Sequence, residues 1–168
     1  MLRSSSIGLA ACALAMLGGC MAQLAPFYSP LISNELSSAN GDIQALFISV
    51  GTDANVSSFP SRQPAYDHIV AELRATELEI KARPTPNPEV LQAANKVLER
   101  LKIGGIQPDP DFSDYPSARS VADLADTIQH MESADQAAGL HREAIPAFEQ
   151  QATIFLTQAI TYENFLKR

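Results

Sequence analysis

The chain has three histidines, His68, His130 and His141, and they are the first residues to test for chemistry. A neutral imidazole beside carboxylates on one helix face can hold a transition metal. His68 with Glu72, and Asp126 with His130, stand four apart and so share a face wherever the segment is helical. Neither pair falls in a Glu-x-x-His, His-Glu-x-x-His or Cys-x-x-Cys-His pattern. The spacing alone reads as solvated helix partners, and no metal ligand is assigned. Asp109, Asp111 and Asp114 invite a calcium reading, but an EF-hand loop needs glycine at its sixth position and glutamate at its twelfth, and those positions are Asp114 and Ser120. No serine lies in Gly-x-Ser-x-Gly or Ser-x-x-Lys, and neither a dinucleotide-binding glycine pattern nor a phosphate loop is present. No catalytic residue and no cofactor is therefore expected, and the chain reads as non-enzymatic.

One group of residues suits recognition instead. Arg62 and Tyr66 stand four apart, and Arg83 lies at the far end of the same segment, in a chain of 12 basic and 19 acidic residues with net charge −7. Arginine and tyrosine are enriched in interface hot spots because they combine contact area with directed hydrogen bonds, so the three are candidate partner-binding residues. The same residues also fit an internal role, with Tyr66 in the core and both arginines in internal salt bridges. Tyr162, Phe165, Lys167 and Arg168 again set aromatics beside cations, where the cations also suit a helix C-terminus. The acidic balance disfavours nucleic acid and anionic lipid as partners, since both need a basic surface.

The elements that must position these residues are helical. After Ser29-Pro30, a cap followed by proline at the first helical position, Ile32, Leu36, Ala39, Ile43, Leu46 and Val50 recur at helical spacing up to Gly51. Asn40-Gly41 is the weak point of that helix, where a break or kink is plausible. A polar loop over 52–62 follows, with Ser61 as the expected cap of a second helix carrying Tyr66, Ile69, Leu73, Thr76 and Ile80. Val70 and Leu78 are expected to widen its buried stripe, and the helix should stop before Pro84. A stiff connection through Pro84, Pro86 and Pro88 leads to a third helix with Val90, Leu91, Ala94, Val97, Leu98 and Leu101 inside, closed by Gly104-Gly105.

Beyond an exposed loop over 107–116, helical spacing returns after Ser117 at Val121, Leu124, Ile128 and Met131 and fades near Asp135. Gly139-Leu140 resembles a helix end in which glycine takes a left-handed conformation and the next apolar residue packs back. A last helix then runs through Ile145, Phe148, Ala152, Phe155, Ala159, Tyr162 and Leu166. One unbroken helix from Ser117 to the end would be about 75 Å long, roughly twice the others, with nothing to pack against along one end. A break is therefore expected. No segment keeps the period-two alternation of a half-buried strand, so the fold class is all-α, an antiparallel bundle of four to five helices.

The N-terminal segment carries a different message. Arg3 precedes an apolar run from Ile7 to Leu17, which is too short to cross a bilayer as a stable helix, and the run ends in Leu17-Gly18-Gly19-Cys20. This stretch resembles the lipobox of a bacterial lipoprotein precursor. The resemblance implies removal of residues 1–19 as a signal peptide and lipidation, palmitate included, on Cys20. It also implies a location in the cell envelope, on the periplasmic face of the outer membrane if the cell is Gram-negative, since Met21 is not the aspartate that retains such proteins in the inner membrane. Residues 20–28 would be a short tether and 29–168 the helical domain, which otherwise has the general look of uncharacterised helical bacterial lipoproteins. With Cys12 in the removed segment and Cys20 consumed, no thiol is left for a disulfide or a metal. The function expected is a lipid-anchored, non-enzymatic envelope module that binds another envelope protein. The alternatives are a small-ligand or metal-binding bundle at the membrane surface and an unrecognised envelope hydrolase.

Overall fold

A computed structural model describes residues 28–84, 88–100 and 115–167. The expected signal peptide, Cys20, most of the tether, Leu101, Gly104-Gly105, the three aspartates of the 107–116 loop and Arg168 lie outside the described residues. Among the described residues there are five α-helices: α1 (Pro30–Val50), α2 (Phe59–Lys81), α3 (Pro88–Arg100), α4 (Pro116–Ala138) and α5 (Ile145–Leu166), with a 3-10 turn at Val56–Ser58. Among the described residues there is no strand, only one isolated bridge between Ala54 and Leu140.

Local chemistry sets the ends of α1 and the start of α2. The Ser29 hydroxyl accepts the Ile32 N–H, Pro30 sits in the first turn of α1, and Gly51 at φ 65° ends the helix with its N–H on the Phe47 carbonyl. Helix α1 passes through the weak point at Asn40-Gly41 unbroken. A mid-helix glycine costs about 1 kcal/mol, which burial of Ala39 and Ile43 on either side outweighs. The start of α2 differs from the sequence expectation. Asn55 Oδ1 accepts the Ser57 N–H at 2.9 Å and organises the 3-10 turn, so the helix begins at Phe59 and Ser61 lies inside it, its hydroxyl on the Ser58 carbonyl. Pro64 falls within α2, but the carbonyl it leaves without a donor belongs to exposed Pro60, where water can serve it.

The break between α4 and α5 lies where expected, at Gly139 with φ 78°. Four helices form a ring in which α1 packs on α2, α2 on α4, α4 on α5 and α5 on α1, while α3 lies against α5. Side-chain pairs fix the directions. The start of α2 meets the end of α4 through Arg62 and Asp135, and the start of α4 meets the end of α5 through Ser117 and Glu163. Lys167, just past α5, stands 5.5 Å from the ring centre of Tyr28, just before α1. Neighbours around the ring are therefore antiparallel, up-down-up-down.

The shared core holds Leu36, Ile43, Leu46, Tyr66, Leu73, Ile80, Leu124, Ile128, Met131 and Tyr162, all under 2% exposed. Each contributes about 1.5–3 kcal/mol by leaving water, so apolar burial and not polar pairing holds the bundle together. Two stripe assignments shift. Leu78 is 68% exposed instead of widening the stripe of α2, and α5 buries Leu156 and Glu163 while Phe148 and Phe155 stay half-buried. The side chains of Val90, Leu91, Ala94 and Leu98 in α3 lie outside the described residues.

Candidate functional site

The candidate recognition residues sit toward opposite ends of α2, with Arg83 two residues beyond it, and the 21 steps from Arg62 to Arg83 put them about 30 Å apart. They do not form one patch. Arg62 is 6% exposed and Tyr66 is fully buried. Arg62 grips Asp135 of α4 with two hydrogen bonds, Nε to Oδ2 at 2.8 Å and Nη2 to Oδ1 at 2.6 Å, and the Tyr66 hydroxyl donates to Oδ2 at 3.1 Å. The remaining face of the guanidinium donates to Ser58 Oγ at 2.8 Å and to the Asn55 carbonyl at 3.4 Å. This two-pronged pair is the strong geometry for arginine and carboxylate, and here every member is bonded inward. The bond to Asp135 holds the Arg62 proton more firmly than usual, and burial pushes the Tyr66 hydroxyl well above its ordinary range. Neither polar end is presented to a surface partner.

Arg83 joins a second network at the other end of the bundle. Its Nη2 donates to Glu163 Oε2 at 2.8 Å, and Ser117 donates to Glu163 Oε1 at 2.7 Å, with Ser117 and Glu163 buried. The Arg83 guanidinium also lies 5.5 Å from the Tyr115 ring centre, Tyr115 meets Tyr162 edge-on, and the Tyr115 hydroxyl donates to the Pro84 carbonyl. Beside this network a cleft of about 520 Å³ opens between the start of α1 and the end of α2, lined by Tyr28, Pro30, Ile32, Glu79 and Arg83.

Sequence reasoning missed the two carboxylates that hold these arginines, yet both carry a signal. Asp135 continues the Val121, Leu124, Ile128, Met131 stripe four residues on, at the point where the apolar pattern fades. Glu163 stands four residues after buried Ala159. A charge in register with a buried stripe calls for a buried partner, because an unpaired one is too costly to desolvate.

The seam between α1 and α2 is different in character. Glu35 and Asp42 on α1 lie along Glu72 and Glu79 on α2, and the Glu35 Oε2 and Glu72 Oε2 atoms are buried with no hydrogen-bond partner among the described residues. Burial, and then the charge of Glu79, raise the Glu35 carboxyl pKa; a bond from Thr76 opposes the rise and Glu72 adds to it. Folding therefore strengthens proton binding at Glu35, so the stability it costs appears as pH rises through the carboxylate range and vanishes below it. Glu35→Gln is expected to raise the melting temperature at pH 7 by about 2 °C, with the gain fading toward pH 4. Thermal melts at the two pH values check this, and an equal gain at both would contradict it.

His68 on α2 faces Asp42 across this seam, Nε2 to Oδ2 at 3.6 Å, with Glu72 one turn further along. Asp126, the expected partner of His130, instead pairs with Arg74 of α2. No family model, curated protein or solved structure matches the chain.

Proposed function

We propose that the chain is a lipid-anchored, non-enzymatic module of the cell envelope that binds another envelope protein, with Cys20 carrying the lipid. The observation that carries this reading is Leu17-Gly18-Gly19-Cys20 at the end of a short apolar segment, only eight residues before Ser29. Those eight residues, Met21 to Tyr28, reach at most about 28 Å when extended. The anchor would thus hold the Tyr28 end of the bundle near the bilayer. Helices of 21 to 23 residues then carry the opposite end, with the Gly51–Ser58 and Gly139–Ala144 loops, about 32–35 Å further out. At that outer end Ile48 is 81% exposed and Val56 44% exposed, which offers a partner apolar contact far from the lipid.

Two further features support the reading. Arg62 pairs with Asp135 and Arg83 with Glu163 inside the bundle, as structural pairs do, and no helix among the described residues is long and apolar enough to cross a membrane. In this reading a lipid on Cys20 supplies the attachment. Metabolic labelling with palmitate, membrane fractionation and in-cell crosslinking of the full chain and of Cys20→Ala test the proposal together. Label in the membrane fraction, lost with Cys20→Ala, and one envelope protein crosslinked only to the anchored form are the expected results. Undiminished label on Cys20→Ala would overturn the anchor, and no enriched envelope protein would overturn the partner.

A further inference from the structure

We propose that Asp42, His68 and Glu72 form a binding site for a divalent transition metal ion of the zinc type, clamping α1 to α2. The set combines one imidazole nitrogen with two carboxylate oxygens, and its three donor atoms all lie within 4.8 Å of one another. Donors bound about 2.0–2.2 Å from a tetrahedral zinc stand about 3.3–3.6 Å apart. The His68 Nε2 to Asp42 Oδ2 separation of 3.6 Å already has that value. Glu72 follows His68 by one turn on the same face, so its carboxylate needs to move only about an ångström to complete the set.

Two further features of the place favour a bound cation. Glu72 Oε2 is buried and has no hydrogen-bond partner among the described residues, a cost that an ion would remove. Glu35 and Glu79 flank the same seam and give it a negative potential that concentrates cations. The imidazole selects against calcium and magnesium, which take oxygen ligands, and in favour of zinc and its neighbours.

A second exposed imidazole–carboxylate pair among the described residues supplies a contrast. His141 Nδ1 lies 4.0 Å from Asp53, with no third ligand among the described residues. At the 42–68–72 site three protein ligands leave a fourth tetrahedral position open to water or to a donor from a partner. Because Asp42 belongs to α1 and the other two to α2, bound metal links two helices that otherwise meet here as two negative side chains and an imidazole.

The test is calorimetric titration of the full-length chain in detergent with zinc chloride, together with thermal melts. Cys12 and Cys20 can bind zinc as thiolates where they are not removed or acylated, so the readout is the difference between variants. The expected result is a binding step that His68→Ala weakens at least ~10-fold and that His141→Ala leaves intact, since losing a ligand costs no less than losing the group that orients it. Zinc should raise the melting temperature of the wild type and of His141→Ala but not of His68→Ala. His68 is 67% exposed, so its replacement leaves the fold unchanged, and Asp42→Asn on the other helix should weaken the same step. Equal zinc binding by wild type and His68→Ala would overturn the site. An effect of His68→Ala with none of Asp42→Asn would overturn the clamp.

Discussion

Asp135→Ala is expected to cost about 3–5 kcal/mol of unfolding free energy, a large part of the roughly 5–15 kcal/mol that a domain of this kind has. The loss of the carboxylate is the smaller part of that cost. Three donors, Arg62 Nε, Arg62 Nη2 and the Tyr66 hydroxyl, would be left pointing at a methyl group, and the guanidinium would remain a buried charge with no counter-ion. Water cannot easily replace the carboxylate, because Asp135 is 0% exposed and Arg62 only 6%. Urea denaturation of the wild type and variant measures the difference.

The double variant Arg62→Met, Asp135→Leu separates the two possible sources of the effect. Apolar groups of similar size leave no charge stranded, so it should recover most of the stability lost in the single variant. If Asp135→Ala costs less than about 1 kcal/mol, or if the double variant is as damaged as the single one, the pair is not the closed buried network described above.

Gly139→Ala is expected to cost about 3 kcal/mol, more than Gly51→Ala, although both glycines have positive φ. Gly139 has φ 78° and ψ 171°, a region open essentially to glycine alone, where a side chain costs about 1–3 kcal/mol in strain. A second term is specific to this position. A Cβ there would overlap the Ala54 carbonyl oxygen and stand 3.0 Å from the Val56 nitrogen. That carbonyl accepts the Leu140 N–H at 2.9 Å, and the Ala54 N–H donates to the Leu140 carbonyl at 2.8 Å, so the two loops at this end of the bundle are held by the groups that the Cβ would push apart. At Gly51 a Cβ would meet nothing within 4 Å, and only strain applies. Denaturation midpoints of the two variants decide the matter, and equal losses would show that the loop contact contributes nothing.

These positions mark how far local reading reaches. Helical spacing at Ile32, Leu36, Ala39, Ile43, Leu46 and Val50 is a property of consecutive residues, and the structure buries all six. Proline in the first turn of α1 and glycine at the ends of α1 and α4 act through their own backbone dihedrals, so those boundaries are legible without a neighbour. Leu78 misleads for the same reason that the others succeed. Its spacing places it beside the stripe of α2, but exposure depends on where the adjacent helices end up, and Leu78 is left 68% exposed.

The candidate site shows the same division more sharply. Arg62 and Tyr66 are evident as a pair one turn apart, but whether they turn outward to a partner or inward to a counter-ion depends on Asp135, 73 residues from Arg62. His68 and Glu72 likewise share a face by spacing, while Asp42, the third member, comes from another helix.

By itself, then, the sequence determined the all-α class, most of the helix stripes and the break at Gly139, because each depends on residues a few positions apart. Only the tertiary structure decided that the arginines turn inward and that Asp42, His68 and Glu72 converge. Such pairings are set when helices choose a common core. That choice is driven by apolar burial summed over the whole bundle, and the polar side chains are carried to wherever the packing places them.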